Sequence, residues 1–348
     1  MRDVAKLAQV ALMTVSRVIN NHPSIKPSTR KKVEAAIATL GYEQNEAARL
    51  LKGERSKLIG LIVPDISDHF FASCAHTVQQ IAREHGFMTL VVSSERDADI
   101  EFQEAQVMVK RHIAGLLIVT SAQKGDERLR LLQNTGLAIV SFDRPLPEAD
   151  VDCVLVENRV GTEAAAQHLI EHGHRRIAFM GYDEVPYTGQ ERIQGYLNKM
   201  HGAKLKPQLA MGLWTVEAAR QWLDKSLARK NPVTAIITNN NRSSLFLLTA
   251  LKNVGLRIPE DIAVIGFDDF EFASILSPPL TVVAQNPTEM ARRSMALLLA
   301  SIDEAKTKVA GTSAKVFLPT KLIIRGSCGY HEADGSACSI AKTNSETR

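Results

Sequence analysis

Residues 3–20, DVAKLAQVALMTVSRVIN, hold two apolar patterns of helical period with a break between them. Val4, Leu7 and Ala8 fall on one face of a first helix. Gln9-Val10-Ala11 interrupt it, and Val15, Val18 and Ile19 line one face of a second. Working outward, Pro23 and Pro27 punctuate a loop. A third helix is expected over residues 28–40, with Val33, Ala36, Ile37 and Leu40 inward and Gly41 as its stop. Three short helices with a tight turn between the first two make a helix-turn-helix, whose second helix suits the DNA major groove.

Charge points the same way. Residues 1–57 carry eleven Lys and Arg against five Asp and Glu, a net of +6. The whole chain of 348 residues carries +4, so the remainder sums to −2. A basic arm on a near-neutral body favours a polyanionic partner for the arm alone. No stretch approaches the roughly 20 uncharged apolar residues that span a bilayer, so no membrane partner is expected. Asp3 and Lys6 interrupt the apolar run that a secretory signal needs, which makes the expected location cytoplasmic. The four cysteines, Cys74, Cys153, Cys328 and Cys338, have no metal-ligand spacing and read as reduced thiols.

The N-terminal string resembles the headpiece of the lac repressor/galactose repressor family of transcriptional regulators. The resemblance runs through Asp3-Val4-Ala5-Lys6-Leu7-Ala8, Thr14-Val15-Ser16-Arg17-Val18-Ile19-Asn20, Ser28-Thr29-Arg30 and Leu40-Gly41-Tyr42. It implies that Leu12, Met13 and Arg17 occupy base-reading positions. Arg17 can donate two hydrogen bonds to guanine, whereas Leu12 and Met13 offer apolar contact to thymine methyls. Thr14, Ser16, Asn20 and Thr29 then contact phosphates and fix register; an exposed polar helix face is the other reading of Thr14 and Ser16. Two departures stand out. Ala11 replaces the usual Ser or Thr cap of the second helix, and Gln9 stands where the turn usually has Gly or Asn, residues that tolerate a positive φ.

Residues 45–53, NEAARLLKG, form one short potential helix between Asn45 as N-cap and Gly53 as stop, too short to be stable alone. The resemblance implies a hinge that folds on operator DNA, with Ala48 allowing two copies to approach and Leu51 wedging into the minor groove. Packing of Leu50 and Leu51 on the body is the alternative.

From residue 58 apolar runs of strand length alternate with helical patterns. The runs fall at 58–63, 87–92, 115–119, 138–142, 177–180, 235–238 and 262–267, with helices such as 70–85 and 160–172 between them. Repeated βαβ units imply parallel sheets covered on both faces. The resemblance makes this a two-lobed, periplasmic-binding-protein-like α/β domain. The expected fold is therefore an all-α helix-turn-helix headpiece (1–44), a hinge and linker (45–57) and an effector-binding and dimerisation domain (58–328). That domain divides into an N-lobe (58–156 and 286–317) and a C-lobe (157–285 and 318–328). Two parallel sheets are joined by three crossovers, expected at 154–158, at 284–287 and before Leu318. Residues 329–348 read as a disordered polar tail.

Ligands of open α/β sheets sit beyond the carboxyl ends of the strands. Asp143, Asn240 and Asp268 fall at such ends, and Arg192 opens an Arg-x-x-Gly-Tyr helical segment. Phe70, Phe71, Gln285 and Trp214 align with pocket positions of the family. Carboxylates and amides hold vicinal hydroxyls, an aromatic face covers a sugar ring, and Arg192 can clamp an anion. For several residues a plainer reading stays open: core for Phe70, rim packing for Trp214, a helix cap for Asp268-Asp269. Arg144 beside Asp143, together with Arg192, favours a sugar acid or sugar phosphate over a neutral sugar, with purines also open. No Gly-rich phosphate loop, zinc set or nucleophile elbow is present, so no catalytic residue, metal or cofactor is expected. His172 and His174 read as surface residues. The expected partners are double-stranded operator DNA, a small effector and a second copy of the chain as a homodimer.

Overall fold

The computed structural model describes residues 1–19, 22–42, 56–182, 186–307 and 313–329, and the chain divides into two units, Met1–Ser56 and Lys57–Arg348. Asn20, Asn45, Ala48 and Leu51, and the tail beyond residue 329, lie outside the described residues.

In the first unit, α1 (Arg2–Ala8), α2 (Leu12–Ile19) and α3 (Pro27–Leu40) enclose a small core of Val4, Ala5, Ala8, Val15, Val18, Val33 and Ala36. Leu7 and Leu40, expected inward, are exposed instead. The small residues Ala5 and Ala36 take interior positions, and the two leucines lie outside the core. Gln9 ends α1 in the left-handed region (φ 54°, ψ 47°), which a non-glycine residue adopts at a cost. With Ala11 in place of a hydroxyl cap, the start of α2 is closed by backbone alone: Thr14 N–H and Val15 N–H donate to the Ala11 carbonyl at 2.8 and 3.3 Å.

The second unit contains two sheets. The first, order β11-β5-β4-β3-β1-β2, consists of β1 (Leu58–Val63), β2 (Met88–Ser93), β3 (Gly115–Ile118), β4 (Ala138–Phe142), β5 (Asp152–Val156) and β11 (Lys315–Leu318), all parallel. The second, order β12-β10-β9-β8-β6-β7, consists of β6 (Ile177–Met180), β7 (Gln208–Ala210), β8 (Ala235–Thr238), β9 (Ala263–Phe267), β10 (Thr281–Ala284) and β12 (Lys321–Ile323). It is parallel except where β12 pairs antiparallel with β10.

Strands β3, β4, β8 and β9 are buried along their whole length, as two covered faces require. On the N-lobe sheet, α4 (His69–Glu84) and α11 (Pro287–Thr307) share one core, and α5 (Ala98–Lys110) and α6 (Arg128–Gln133) another. On the C-lobe sheet, α7 (Asn158–Glu171) and α8 (Tyr187–Gly202) cover one face, and α9 (Val216–Leu227) and α10 (Asn241–Asn253) the other.

The chain passes between lobes three times: after β5, between β10 and α11, and between β11 and β12. The first expected crossing overlaps β5, and the third falls just after Leu318 rather than before it. Residues 315–318 pair with β5 through Lys315↔Cys153 to Leu318↔Val156 and so belong to the N-lobe. His174, expected at the surface, is buried. Its Nδ1 lies 2.9 Å from Thr234 Oγ1, and burial holds its pKa down at about 4.

Candidate functional site

The parallel strands of the two sheets aim their carboxyl ends at one cavity of about 500 Å³ between the lobes. All eight residues singled out from the sequence for a ligand line it: Phe70, Phe71, Asp143, Arg192, Trp214, Asn240, Asp268 and Gln285. Asp68, Arg96, Arg144, Tyr182 and Asn239 join them.

Two carboxylates enter from equivalent places. Asp143 follows β4 and its N–H donates to the Val154 carbonyl of β5; Asp268 follows β9 and its N–H donates to the Val283 carbonyl of β10, each at 2.9 Å. Both adopt a left-handed backbone, φ 63° and 71°. A strand end that turns in this way lifts its side chain off the sheet into the cleft, and such strain is held where surrounding structure enforces it. Asp143 is 4% exposed and Asp268 8%. Burial raises the pKa of both, that of Asp268 to about 6 against the lowering effect of Arg192 and Gln285.

Arg192, 4% exposed, lies between them electrostatically. Its Nε donates to Asn158 Oδ1 at 2.7 Å and its Nη1 to the Asn239 carbonyl at 2.6 Å, while its guanidinium lies 3.6 Å from the Phe267 ring centroid. The helix that carries it sits close to α7: a Cβ at Gly195 would lie 2.3 Å from the Arg159 carbonyl oxygen, which accounts for the glycine of the Arg-x-x-Gly-Tyr segment. Arg144 Nη1 donates to the Thr120 carbonyl at 3.0 Å, and its Nε forms an ion pair with Asp143 Oδ2 at 3.4 Å.

The plainer readings resolve residue by residue. Phe70 and Phe71 meet edge to face at 5.2 Å and belong to the N-lobe core while also lining the cavity, so both roles hold. Trp214 stacks on Tyr182 at 3.9 Å and 14° and remains 40% exposed. Asp268 caps no helix; it accepts from Gln285 Nε2. Asp269 forms a two-bond pair with Arg325 at 2.9 and 2.8 Å. Asn240 is the cap of α10, with Oδ1 accepting from Ser243 N–H and Oγ, both at 2.9 Å, and from Tyr182 Oη at 3.2 Å. Its neighbour Asn239 also lines the cavity, with a buried amide oxygen that has no hydrogen-bond partner. Asp68 is a residue that sequence reasoning misses. It caps α4 through Phe70 N–H at 3.0 Å and accepts from Asn241 Nδ2 across the cleft at 3.0 Å. A second bridge joins Asp65 Oδ2 to Arg242 Nη1 at 3.6 Å.

Among the described residues, three of the six buried side-chain polar atoms without a hydrogen bond belong to residues of this lining, Arg144 Nε, Asn239 Oδ1 and Gln285 Oε1. No group of three or more His, Cys, Asp or Glu among the described residues is placed to hold a metal ion, and no helix there is long and apolar enough to cross a membrane.

The headpiece carries exposed apolar side chains. Leu12 is 46% and Met13 66% exposed at the start of α2, Arg17 is exposed one turn on, and Thr14, Ser16 and Thr29 are half-buried.

Residues 1–45 match the family described as bacterial regulatory proteins, lacI family, and residues 166–328 match a periplasmic binding protein-like domain. The HTH-type transcriptional repressor CytR of Escherichia coli (strain K12) is 31% identical over 331 residues, 94% of this chain and 95% of its own. Among solved structures, the lac repressor dimer bound to operator and the anti-inducer ONPF matches with a TM-score of 0.79 at 25% identity, covering 94% of this chain and 98% of that one. A complex of the transcriptional regulator CelR with cellobiose matches at 0.68 and 30% identity, covering 93% and 98%. A helix-turn-helix unit joined to a two-lobed α/β body with a polar interlobe cavity defines a DNA-binding transcriptional regulator, not an enzyme. The chain belongs to the LacI family of such regulators.

Proposed function

We propose that this chain is a cytoplasmic repressor that binds a pseudo-palindromic operator as a homodimer, and that a small hydroxyl-bearing effector in the interlobe cavity sets its operator affinity. The observation that carries the reading is the cavity itself. Two lobes tied by three crossovers enclose a cavity lined by the carboxylates Asp68, Asp143 and Asp268 and the amides Asn239, Asn240 and Gln285, side chains of the kind that hold a ligand's hydroxyls. The lac repressor and CelR–cellobiose structures lend support, one carrying operator and the other a sugar.

In this reading Arg17 reads a guanine, Leu12 and Met13 contact thymine methyls, and Thr14, Ser16, Asn20 and Thr29 hold phosphates. Two headpieces related by a twofold axis meet two half-sites. Asn45, Ala48 and Leu51 complete the interface in the minor groove. The effector favours one lobe arrangement over another, and the Asp68–Asn241 and Asp65–Arg242 bridges are the contacts remade as the cleft changes. A duplex selected by the chain from a randomised pool tests the coupling: its affinity is measured with and without saturating sugar. A change of fivefold or more, within the usual span of allosteric coupling, that disappears in Asp268→Asn is expected. Affinity indifferent to every cavity ligand contradicts the proposal.

A further inference from the structure

We infer that Glu101, which is not itself part of the cavity lining, positions the N-lobe wall of the cavity from behind and sets how tightly that wall holds an occupant. The inference rests on the effector-site reading above and concerns the regulation of that site.

Glu101 lies in the first turn of α5 and is 0% exposed. Its two oxygens serve two neighbours. Oε1 accepts from Thr120 Oγ1 at 2.7 Å, and Oε2 accepts from Ser121 N–H at 2.5 Å. Thr120 Oγ1 in turn accepts from Ala122 N–H at 2.9 Å. One carboxylate therefore fixes three consecutive residues beyond β3, and all three line the cavity. The contacts reach further along the wall: the Thr120 carbonyl accepts from Arg144, which pairs with Asp143. Holding α5 to the sheet does not call for a carboxylate. Ala105 and Met108, further along the same helix, do that with apolar contact, and a buried charge is costly.

Ionised, Glu101 is an acceptor on both oxygens. Protonation puts a hydrogen on one of them, so one of the two contacts must be remade. Burial pushes the carboxyl up from 4.5 to about 7; the Thr120 and Ser121 hydrogen bonds and the charge of Arg144 oppose the rise, and Asp126 adds to it. Asp126 is paired with Arg128 at the start of α6, as is Asp99 of α5. Strands β1 (Leu58–Val63) and β3 (Gly115–Ile118) offer no titratable side chain. The wall is therefore held best above pH 7 and released as pH falls through it. Asp143 and Asp268, also raised, add a pH dependence of their own that a substitution at Glu101 leaves in place.

Two readouts on the full chain test this. The first is the Ser121 amide resonance of protein labelled with nitrogen-15 serine, assigned with Ser121→Ala. It is expected to titrate with a midpoint of about 7 in the parent and to stay still in Glu101→Gln. The second is calorimetric titration with ribose, galactose, cytidine and adenosine, whose charge does not change between pH 6 and 8. A member that binds the parent should lose about threefold or more in affinity from pH 8 to pH 6. Glu101→Gln should bind it at pH 8 about as the parent does at pH 6, with only the dependence left by Asp143 and Asp268. A Ser121 amide that does not move near pH 7 in the parent overturns the inference, and decides the matter even if Glu101→Gln does not fold. So does a binding profile of the same shape in parent and variant, which leaves the effector site standing. No binding by any of the four overturns the effector-site reading and the inference with it.

Discussion

The headpiece and the cleft break the rule of apolar inside and charged outside in opposite directions. The headpiece exposes Leu12 and Met13 to water, while the cleft buries Asp143, Asp268 and Arg192. The reason lies in what each surface meets. A recognition helix must be complementary to base edges and methyl groups that arrive from outside, so it has no interior of its own to hide in. A cleft must hold fixed dipoles and charges away from water, where each hydrogen bond discriminates strongly. The difference teaches that stability and function are opposed in the cleft and largely separate on the recognition face.

The largest effect expected from this contrast concerns Arg192. Replacing it by alanine leaves Asp143 and Asp268 buried without the guanidinium, and removal of one partner from a buried charge cluster costs about 3–5 kcal/mol. Urea unfolding should show that loss; a change below about 1 kcal/mol would break the claim that the buried charges hold one another.

Asp268→Asn should act in the other direction. The Asp268 carboxyl is raised from 3.8 to about 6, so the folded state binds its proton more tightly than the unfolded chain does. Its stabilising contribution is full below about pH 4 and lost as pH rises through 6. The substitution should therefore be near neutral for stability at pH 4 and gain up to about 3 kcal/mol at pH 7.5, since the contribution changes by about 1.36 kcal/mol for each pH unit between the unfolded and folded pKa values. Paired thermal melts across that range check both sign and window.

How much of this is legible in sequence differs between the two regions. The strand runs and the helical periods are visible because long apolar patterns leave few alternatives, and they place Asp143 and Asp268 at strand ends. Asn239 is not legible: nothing in Asn239-Asn240-Asn241 says which amide caps α10 and which crosses to Asp68. The structure assigns the cap to Asn240, whose Oδ1 accepts from Ser243 N–H. Asp68 is hidden for a related reason, since its partner Asn241 lies 173 residues away. In the headpiece, helical period alone puts Leu7 and Leu40 inward, although both are exposed beside a core built of valines and alanines.

On the recognition face, Arg17→Ala should lower affinity for a selected duplex by about 1–3 kcal/mol and relax preference at one base pair, with the melting temperature unchanged because the side chain is exposed. The smallest effect is expected at the turn. Gln9→Gly relieves a left-handed residue at φ 54° and should stabilise the headpiece by no more than about 1 kcal/mol, read as slower amide exchange in α1 and α2. A loss of protection there would mean that the Gln9 side chain contributes more than its backbone strain costs.

We propose that the exposed face of α2 reads the DNA sequence. Its most direct measurement is the affinity ratio between a duplex selected from a randomised pool and its scrambled counterpart, taken at several salt concentrations for the parent chain and for Arg17→Ala. The selected site is expected to be twofold-symmetric, with a ratio of about 10³ or more for the parent, and a smaller ratio for the variant at nearly unchanged salt dependence. A ratio near one at every salt concentration, or equal ratios for parent and variant, would contradict it.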